Sequence, residues 1–220
     1  MHEILTIERK VLAKNDAVAA ENRTRFARHG VFVVNIVSSP GAGKTTLLER
    51  TLERLKGRRH VAVIEGDLQT DLDARRVARY GVPVVQIVTN GACHLEAHLV
   101  ANAVDCIDLA ELDLLVIENV GNLVCPANYD LGEAMKVVVL STTEGDDKPL
   151  KYPAMFQRAS VLVINKIDLL PQAGADLATI RRHALEVNPN LLIFETSCRT
   201  GAGLDDWCAW LTLCTAKAHA

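Results

Sequence analysis

The chain has 220 residues, 49% hydrophobic and 23% charged, enough for one globular domain, two at most, that buries roughly 70% of its unfolded surface, and far from a disordered or linker-dominated composition. With 24 basic against 27 acidic side chains the net charge is −3, which gives no electrostatic footing for nucleic acid or a polybasic membrane surface. Apolar runs such as Val31–Val34 fall far short of the roughly 20 residues that span a bilayer, and the charged start (Glu3, Glu8, Arg9, Lys10) has no apolar signal stretch, so a cytoplasmic location is expected.

Residues 1–30 read as an N-terminal helical extension, with a helix over 4–28 ending at Gly30, ahead of a domain spanning 31–220. From there, apolar β-branched runs at 31–37, 61–64, 82–88, 112–118, 136–140, 160–165 and 190–197 alternate with helical patterns. Strands with continuous apolar sequence are buried on both faces, the mark of a parallel sheet. In the helix after the first run, Leu47, Leu48, Thr51, Leu52 and Leu55 share one face, and Glu49, Arg50, Glu53 and Arg54 take the other. The last helix begins near Leu204, with Leu204, Trp207, Cys208, Leu211 and Cys214 in one stripe and Asp205 and Asp206 at its positive end. The pattern predicts a three-layer α/β domain with a mostly parallel sheet of about seven strands, helices on both faces, and ligands at the carboxyl ends of the strands.

Directly after the first run comes SSPGAGKTT (38–46). Gly43, Lys44 and Thr45 fit the end of a phosphate-binding P-loop, while Ser38 stands where the pattern has its first glycine. Gly41 and Gly43 let backbone N–H groups of the 41–46 stretch, Ala42 and Thr46 included, turn toward phosphate oxygens. Lys44 would neutralise β- and γ-phosphate charge and the Thr45 hydroxyl would ligate Mg²⁺. The positive end of the following helix adds to the cradle. A P-loop NTPase is expected.

Downstream, NKID (165–168) caps the sixth run. A carboxylate at Asp168 can accept both N1–H and the 2-amino group of guanine, donors that adenine lacks, so an adenine nucleotide would leave it unpaired. Asn165 would hold the guanine edge and the loop, and the Lys166 stem would cover the ring. Ser197 and Cys198, after the last run, fall where a backbone N–H meets guanine O6. GTP and GDP are therefore the expected ligands. Between the two motifs, Glu118 in LLVIENVGN (114–122) is a strand-end acid and Gly121 follows three later. Gly121 would put its N–H on the γ-phosphate, and Glu118 would bind Mg²⁺ directly or through water, with Asp67 of EGD (65–67) the other acid near the ion. Asn122, not glutamine, follows Gly121. Without a water-positioning glutamine, hydrolysis is expected to run well below the enzyme median of about 10 s⁻¹.

The six cysteines, at 93, 106, 125, 198, 208 and 214, form no CxxC pair and suit core filling or metal ligation better than disulfides. Cys93 and His94 are adjacent, and Cys125 lies seven residues past Glu118, in the segment that would answer to the γ-phosphate. Thiolate and imidazole suit Ni²⁺ or Zn²⁺ and exclude Mg²⁺. On residue types alone, two buried cysteines and a helix-capping histidine explain the same pattern. Three ligands also leave a site to be completed by water or a second subunit. His98 shares a helix face with His94, but Leu95 occupies the glutamate position of a metalloprotease motif, so His98 is expected to be solvated.

In order, SSPGAGKTT, EGD, GACHLE, IENVGNLVCPANYDLGE, TEGDDKPLKYP and NKIDLLP resemble the HypB family, GTPases that deliver nickel to hydrogenase during maturation. The resemblance spans about residues 5–213 and is most specific over the Glu-Asn-Val-Gly-Asn…Cys-Pro stretch. It implies a nucleotide-dependent homodimer with metal at or near its interface, a metal motif on Cys93, His94 and Cys125, and a nickel acceptor that is a maturation factor or the hydrogenase large subunit. It also implies nucleotide-state or hydrolysis roles for Lys148 and Lys151 in KPLKYP. The urease nickel chaperone UreG is less similar, since its Cys-Pro-His motif is not reproduced at Cys93–His94. Many HypB relatives carry an N-terminal CxxCGC motif or histidine-rich tract. Here only His2 precedes the first helix, so neither a tight N-terminal nickel site nor a storage role is expected.

The resulting expectation is a switch: GTP–Mg²⁺ draws Gly121 onto the γ-phosphate, moves 118–126, and shifts Cys125 relative to Cys93 and His94. Three rivals stand beside it: a urease-type nickel chaperone GTPase, a P-loop small-molecule kinase, and a metal-storage protein with a vestigial nucleotide site. Asp168 and the lack of an Arg-rich lid count against the kinase. Lys44 and Thr45 together with Asp168 count against a decayed nucleotide site.

Overall fold

The seven β-branched runs pair into one sheet in the computed structural model, which describes residues 2–69 and 71–218, the side chains of 2–10 and 217 excepted. The strands are β1 (Phe32–Ser38), β2 (Val61–Asp67), β3 (Val84–Val88), β4 (Leu114–Glu118), β5 (Met135–Ser141), β6 (Val161–Asn165) and β7 (Leu192–Glu195). Their order is β3-β2-β4-β1-β5-β6-β7, and all six pairings are parallel. Every residue of the inner strands β1, β4 and β6 is buried, whereas β3 and β7 at the edges are only half-covered. That gradient is why the inner runs carry almost unbroken Val, Ile and Leu.

Alternation along each strand sends side chains to two helical layers. On one face Phe32, Val34, Ile36, Val116 and Val163 pack under α2 (Lys44–Leu55), α3 (Leu72–Ala78) and α9 (Leu204–Ala218). The α2 stripe is buried as its spacing predicts, and Trp207 of α9, fully buried, donates its indole N–H to Thr51 Oγ1 at 2.9 Å. On the other face Val33, Ile64, Leu115 and Ile117 meet α4 (Ala97–Val104) and Phe26 of α1 (His2–Arg28). Val138, Leu140 and Leu162 on that face meet α6 (Pro153–Arg158) and α8 (Leu177–Val187). Two short helices, α5 (Lys148–Lys151) and α7 (Leu170–Ala173), flank the carboxyl end of the sheet.

Helix α1 is tied down by polar contacts. Asn22 Nδ2 donates to the carbonyls of Ala97 and Leu131 at 2.9 and 3.0 Å. Asn15 accepts from the Ala97 N–H at 2.8 Å and donates to the Asp130 carbonyl at 2.8 Å. The first helix thereby grips the start of α4 and the 130–131 loop together. Among the described residues no helix is long and apolar enough to cross a membrane. The side chain of His2 lies outside the described residues.

Candidate nucleotide and metal site

Chain order puts β1 between β4 and β5, and in open α/β sheets such a reversal leaves a crevice at the carboxyl ends of the strands. The loop after β1 lies there. Gly43 stands at the start of α2 with φ of 100°, a left-handed conformation that glycine adopts without strain. A Cβ at Gly43 would also lie 2.6 Å from Asn165 Nδ2. That amide is close because it donates to the Ala42 carbonyl at 3.1 Å, while Lys166 Nζ donates to the Gly41 carbonyl at 2.7 Å. Asn165 Oδ1 accepts from the N–H and thiol of Cys198 at 3.4 and 3.3 Å, and Asp168 Oδ1 accepts from Ser197 Oγ at 2.6 Å. Burial pushes the Cys198 thiol up to about 11, so it stays a neutral donor. Asn165, Lys166, Asp168, Ser197 and Cys198 therefore gather beside the phosphate loop, although Asn165 and Lys166 here serve to hold that loop.

A cleft of about 480 Å³ opens over this loop, lined among others by Lys44, Thr45, Thr46, Asp67, Glu118 and Gly121, a size typical of small-ligand sites. Thr45 Oγ1 donates to Glu118 Oε1 at 2.7 Å, and Lys44 Nζ lies 3.8 Å from the same oxygen. Glu65 stands in register beside Glu118 on the adjacent strand. Both acids are 2% exposed, and Glu65 Oε1 and Glu118 Oε2 have no hydrogen-bond partner. Burial, reinforced by the neighbouring Glu118, pushes Glu65 up to about 10. Burial also raises Glu118, against the opposing pull of Lys44 and the Thr45 hydroxyl. Buried oxygen donors with unmet capacity beside a threonine hydroxyl fit a hard divalent cation. Asp67 also lines the cleft, its Oδ1 accepting from the Gln69 N–H at 2.9 Å. Gly121 faces Pro40 of the loop so closely that a Cβ would come within 3.2 Å of the Pro40 ring.

The two lysines of KPLKYP part company. Lys148 Nζ reaches Ser39 Oγ and Glu144 Oε2, each at 3.4 Å, at the rim of the phosphate loop. Lys151 is 61% exposed and paired with Asp147 at 2.7 Å, so the structure brings Lys148 to the site and not Lys151.

The soft ligands converge beyond β3 and β4. Leu95 is fully buried against Gly66, where a Cβ would lie 2.8 Å from Leu95 Cδ1. This packing pins the Cys93–His94 loop to the end of β2. Cys125 opens a short 3-10 turn, Cys125–Ala127. The thiols of Cys93 and Cys125 are 2.6 Å apart, His94 Nδ1 is 3.8 Å from Cys93 Sγ, and one ligand atom from each of the three falls within 4.8 Å of the others. The His94 ring lies 3.9 Å from that of Tyr129. Burial lowers its pKa, outweighing the pull of Glu96, which favours the neutral imidazole, the form that binds a metal. His94 Nε2 is buried with no hydrogen-bond partner. Two sulfurs and an imidazole match Ni²⁺ or Zn²⁺ and not Mg²⁺. His98 is exposed and paired with Glu96 at 3.3 Å, outside this cluster. Asn122 ties the two halves of the site together: its Nδ2 donates to the Cys93 carbonyl at 3.2 Å while its Oδ1 accepts from the Val124 N–H at 2.8 Å.

The family described as CobW/HypB/UreG, nucleotide-binding domain, matches residues 32–195. The hydrogenase maturation factor HypB of Azotobacter vinelandii is 55% identical over 208 residues, covering 94% of this chain and 69% of the relative. The chain belongs to the HypB family. The HypB of Escherichia coli (strain K12) is 51% identical, over 94% of this chain and 72% of that relative. Crystal structures agree: HypB from Archaeoglobus fulgidus superposes with a TM-score of 0.87 at 39% identity, over 92% of this chain and 99% of that one. HypB from Helicobacter pylori in complex with nickel gives 0.88 at 41%, over 93% and 96%. The P-loop fold with a parallel seven-stranded sheet is thus the HypB fold.

Several residues of this HypB-family site escape a reading by motif. Glu65 is as buried as Glu118 and its register partner, and EGD contained it, but only the sheet order reveals which of its two acids abuts Glu118. Asn122 stood out as a missing glutamine, whereas its bond to Cys93 depends on two loops meeting in space. Tyr129 carries no local signal at all. Of the remaining cysteines, Cys208 is core, Cys214 packs against the core, and Cys106 is exposed, neither filler nor ligand.

Proposed function

We propose that this protein is a GTP-hydrolysing metallochaperone that binds nickel, or zinc in competition, and delivers nickel for hydrogenase maturation under nucleotide control. Residues 31–220 act as the GTPase domain and 1–30 as a helical extension. Asp168 reads the guanine base, supported by Ser197 and with Asn165 and Lys166 bracing the loop. The 41–46 backbone and Lys44 hold the phosphates. Thr45, Glu118 and Asp67 are the residues that would hold Mg²⁺, which when bound neutralises charge on the β- and γ-phosphates. Lys148, at the rim beside Ser39, is suited to sense the γ-phosphate; the exposed Lys151 is the weaker candidate. Asn122 follows Gly121 in place of a water-orienting glutamine, and turnover is slow.

The observation that carries this reading is the Asn122 bond. Gly121 is the residue suited to meet the γ-phosphate, and the next side chain is bonded to the Cys93 carbonyl at 3.2 Å. Movement of Gly121 toward phosphate therefore pulls on the loop that carries Cys93 and His94 and shifts it against Cys125. Three protein ligands leave a coordination position for water or for a residue of a second copy, in keeping with a homodimer that has metal at or near its interface. The acceptor is a nickel-binding maturation factor or the hydrogenase large subunit, met in the cytoplasm.

Titration of Ni²⁺ into GDP-bound and GTP-analogue-bound protein tests the reading. Coupling of about 1–3 kcal/mol would separate the two affinities by about 5–150-fold. Equal affinity and stoichiometry in both states would refute nucleotide control.

A further inference from the structure

A chain of buried polar side chains crosses the sheet beneath the metal cluster, in a layer otherwise made of Val, Ile and Leu. Its members are Asn35, Asn119, Glu133 and Lys136, between 0 and 8% exposed. Asn119, one residue past Glu118, accepts from the Leu95 N–H at 3.2 Å, immediately after His94. Its amide nitrogen donates to Asn35 Oδ1 at 3.2 Å, in the middle of the central strand β1. Asn35 Nδ2 donates in turn to Glu133 Oε1 at 3.1 Å. Glu133 pairs with Lys136 at 3.6 Å. Lys136 Nζ then reaches the carbonyls of Pro126, Ala127 and Tyr129 at 3.0, 3.4 and 3.0 Å, the turn that begins at Cys125.

We infer that this relay, Asn119–Asn35–Glu133–Lys136, positions the two halves of the soft-metal site relative to each other and transmits the state of the nucleotide loop to both. It rests on the nucleotide-controlled metal binding proposed above. One end holds the Cys93–His94 loop through Leu95, and the other holds the Cys125 turn and the Tyr129 backbone behind the His94 ring. Asn119 lies between Glu118 and Gly121, so it moves with whichever nucleotide is bound. Asn122 acts on one ligand loop from above. The relay adds the second connection, to Cys125, that a concerted change at both loops requires.

The chemistry argues for position over stability. An asparagine in the centre of a parallel sheet and a lysine–glutamate pair beneath it carry a desolvation cost that apolar side chains of similar volume would avoid. Every atom named in the chain has a partner, so the network is rigid, and a rigid link is what geometric coupling needs.

The test uses two near-isosteric apolar substitutions at different links, Asn35→Leu and Lys136→Met, in the full chain. Folding is followed by circular dichroism and guanine-nucleotide affinity, and Ni²⁺ is titrated in the GDP and GTP-analogue states with the nickel–thiolate absorption recorded. The expected result is nucleotide affinity within about 3-fold of wild type, an altered nickel–thiolate band, and a ratio of nickel affinities between the two states that collapses toward 1. A folded variant of either kind that keeps the wild-type ratio overturns the relay, including one that loses nickel affinity equally in both states, as a merely structural role would dictate. A ratio of 1 in the wild type itself overturns nucleotide control, and the relay with it, so the two failures are told apart.

Discussion

Glu65 and Glu118 occupy paired register positions on β2 and β4, each 2% exposed and each with one carboxylate oxygen lacking a hydrogen-bond partner. Burial and the adjacent Glu118 raise Glu65 from an ordinary 4.5 to about 10. Between those two values the folded chain keeps a proton that the unfolded chain releases. Stability of the nucleotide-free, magnesium-free protein therefore falls as pH rises through that window. Glu65→Gln removes this penalty. Thermal unfolding should show the variant more stable than wild type by several degrees at pH 8, at about 2–4 °C per kcal/mol for a chain of this size, and much less so at pH 5.

In the proposed function Asp168 carries most of the discrimination of guanine from adenine, through two donors that adenine lacks. Asp168→Ala leaves guanine N1–H and the 2-amino group without an ionic acceptor, and a lost charged hydrogen-bond pair of this kind is worth about 3 kcal/mol. Titration with a fluescent-labelled GDP should show a loss of about 100-fold, with adenine nucleotides left within a few-fold of their weak starting affinity.

Lys44 Nζ sits 3.8 Å from Glu118 Oε1. Lys44→Ala removes the cation opposite the buried acids as well as the phosphate contact. Single-turnover GTP hydrolysis, expected to run well below about 10 s⁻¹ in the wild type, should become undetectable, and the affinity for GTP should drop more than that for GDP.

Cys125 is a proposed metal ligand and lies outside the lining of the nucleotide cleft. Cys125→Ser should weaken nickel by about 100-fold or more, beyond the usual effect of losing a supporting partner. The nickel–thiolate absorption should shrink, and nucleotide affinity measured without metal should stay unchanged. Loss of both affinities together would mean that the turn at Cys125–Ala127 is a folding element first.

Much of the architecture was legible because local sequence and burial agree. Strands such as β1, β4 and β6 are apolar on both faces, α2 carries its buried stripe at helical spacing, and the phosphate loop is contiguous. Asp168 and the Cys93, His94 and Cys125 set were legible as residue types, and their convergence required the fold. What could not be read were polar residues whose role depends on strand order. Asn35 looks like an interruption in VFVVNIV until β4 is laid beside β1 and Asn119 meets it. Glu65 looks secondary to Asp67 until β2 is laid beside β4. Lys148 and Lys151 differ by one helical turn, and only the packing of α5 decides that one reaches Ser39 while the other pairs with Asp147.

Linkage offers the most direct test of the central claim, that nucleotide and metal read each other's state. Nucleotide affinity is measured for GDP and for a GTP analogue, each with and without one equivalent of Ni²⁺. If the loops are coupled, nickel must change the GDP-to-GTP-analogue preference by the same factor by which nucleotide changes nickel affinity, about 5-fold or more. Identical nucleotide preference with and without nickel, in protein shown to hold the metal, would contradict it.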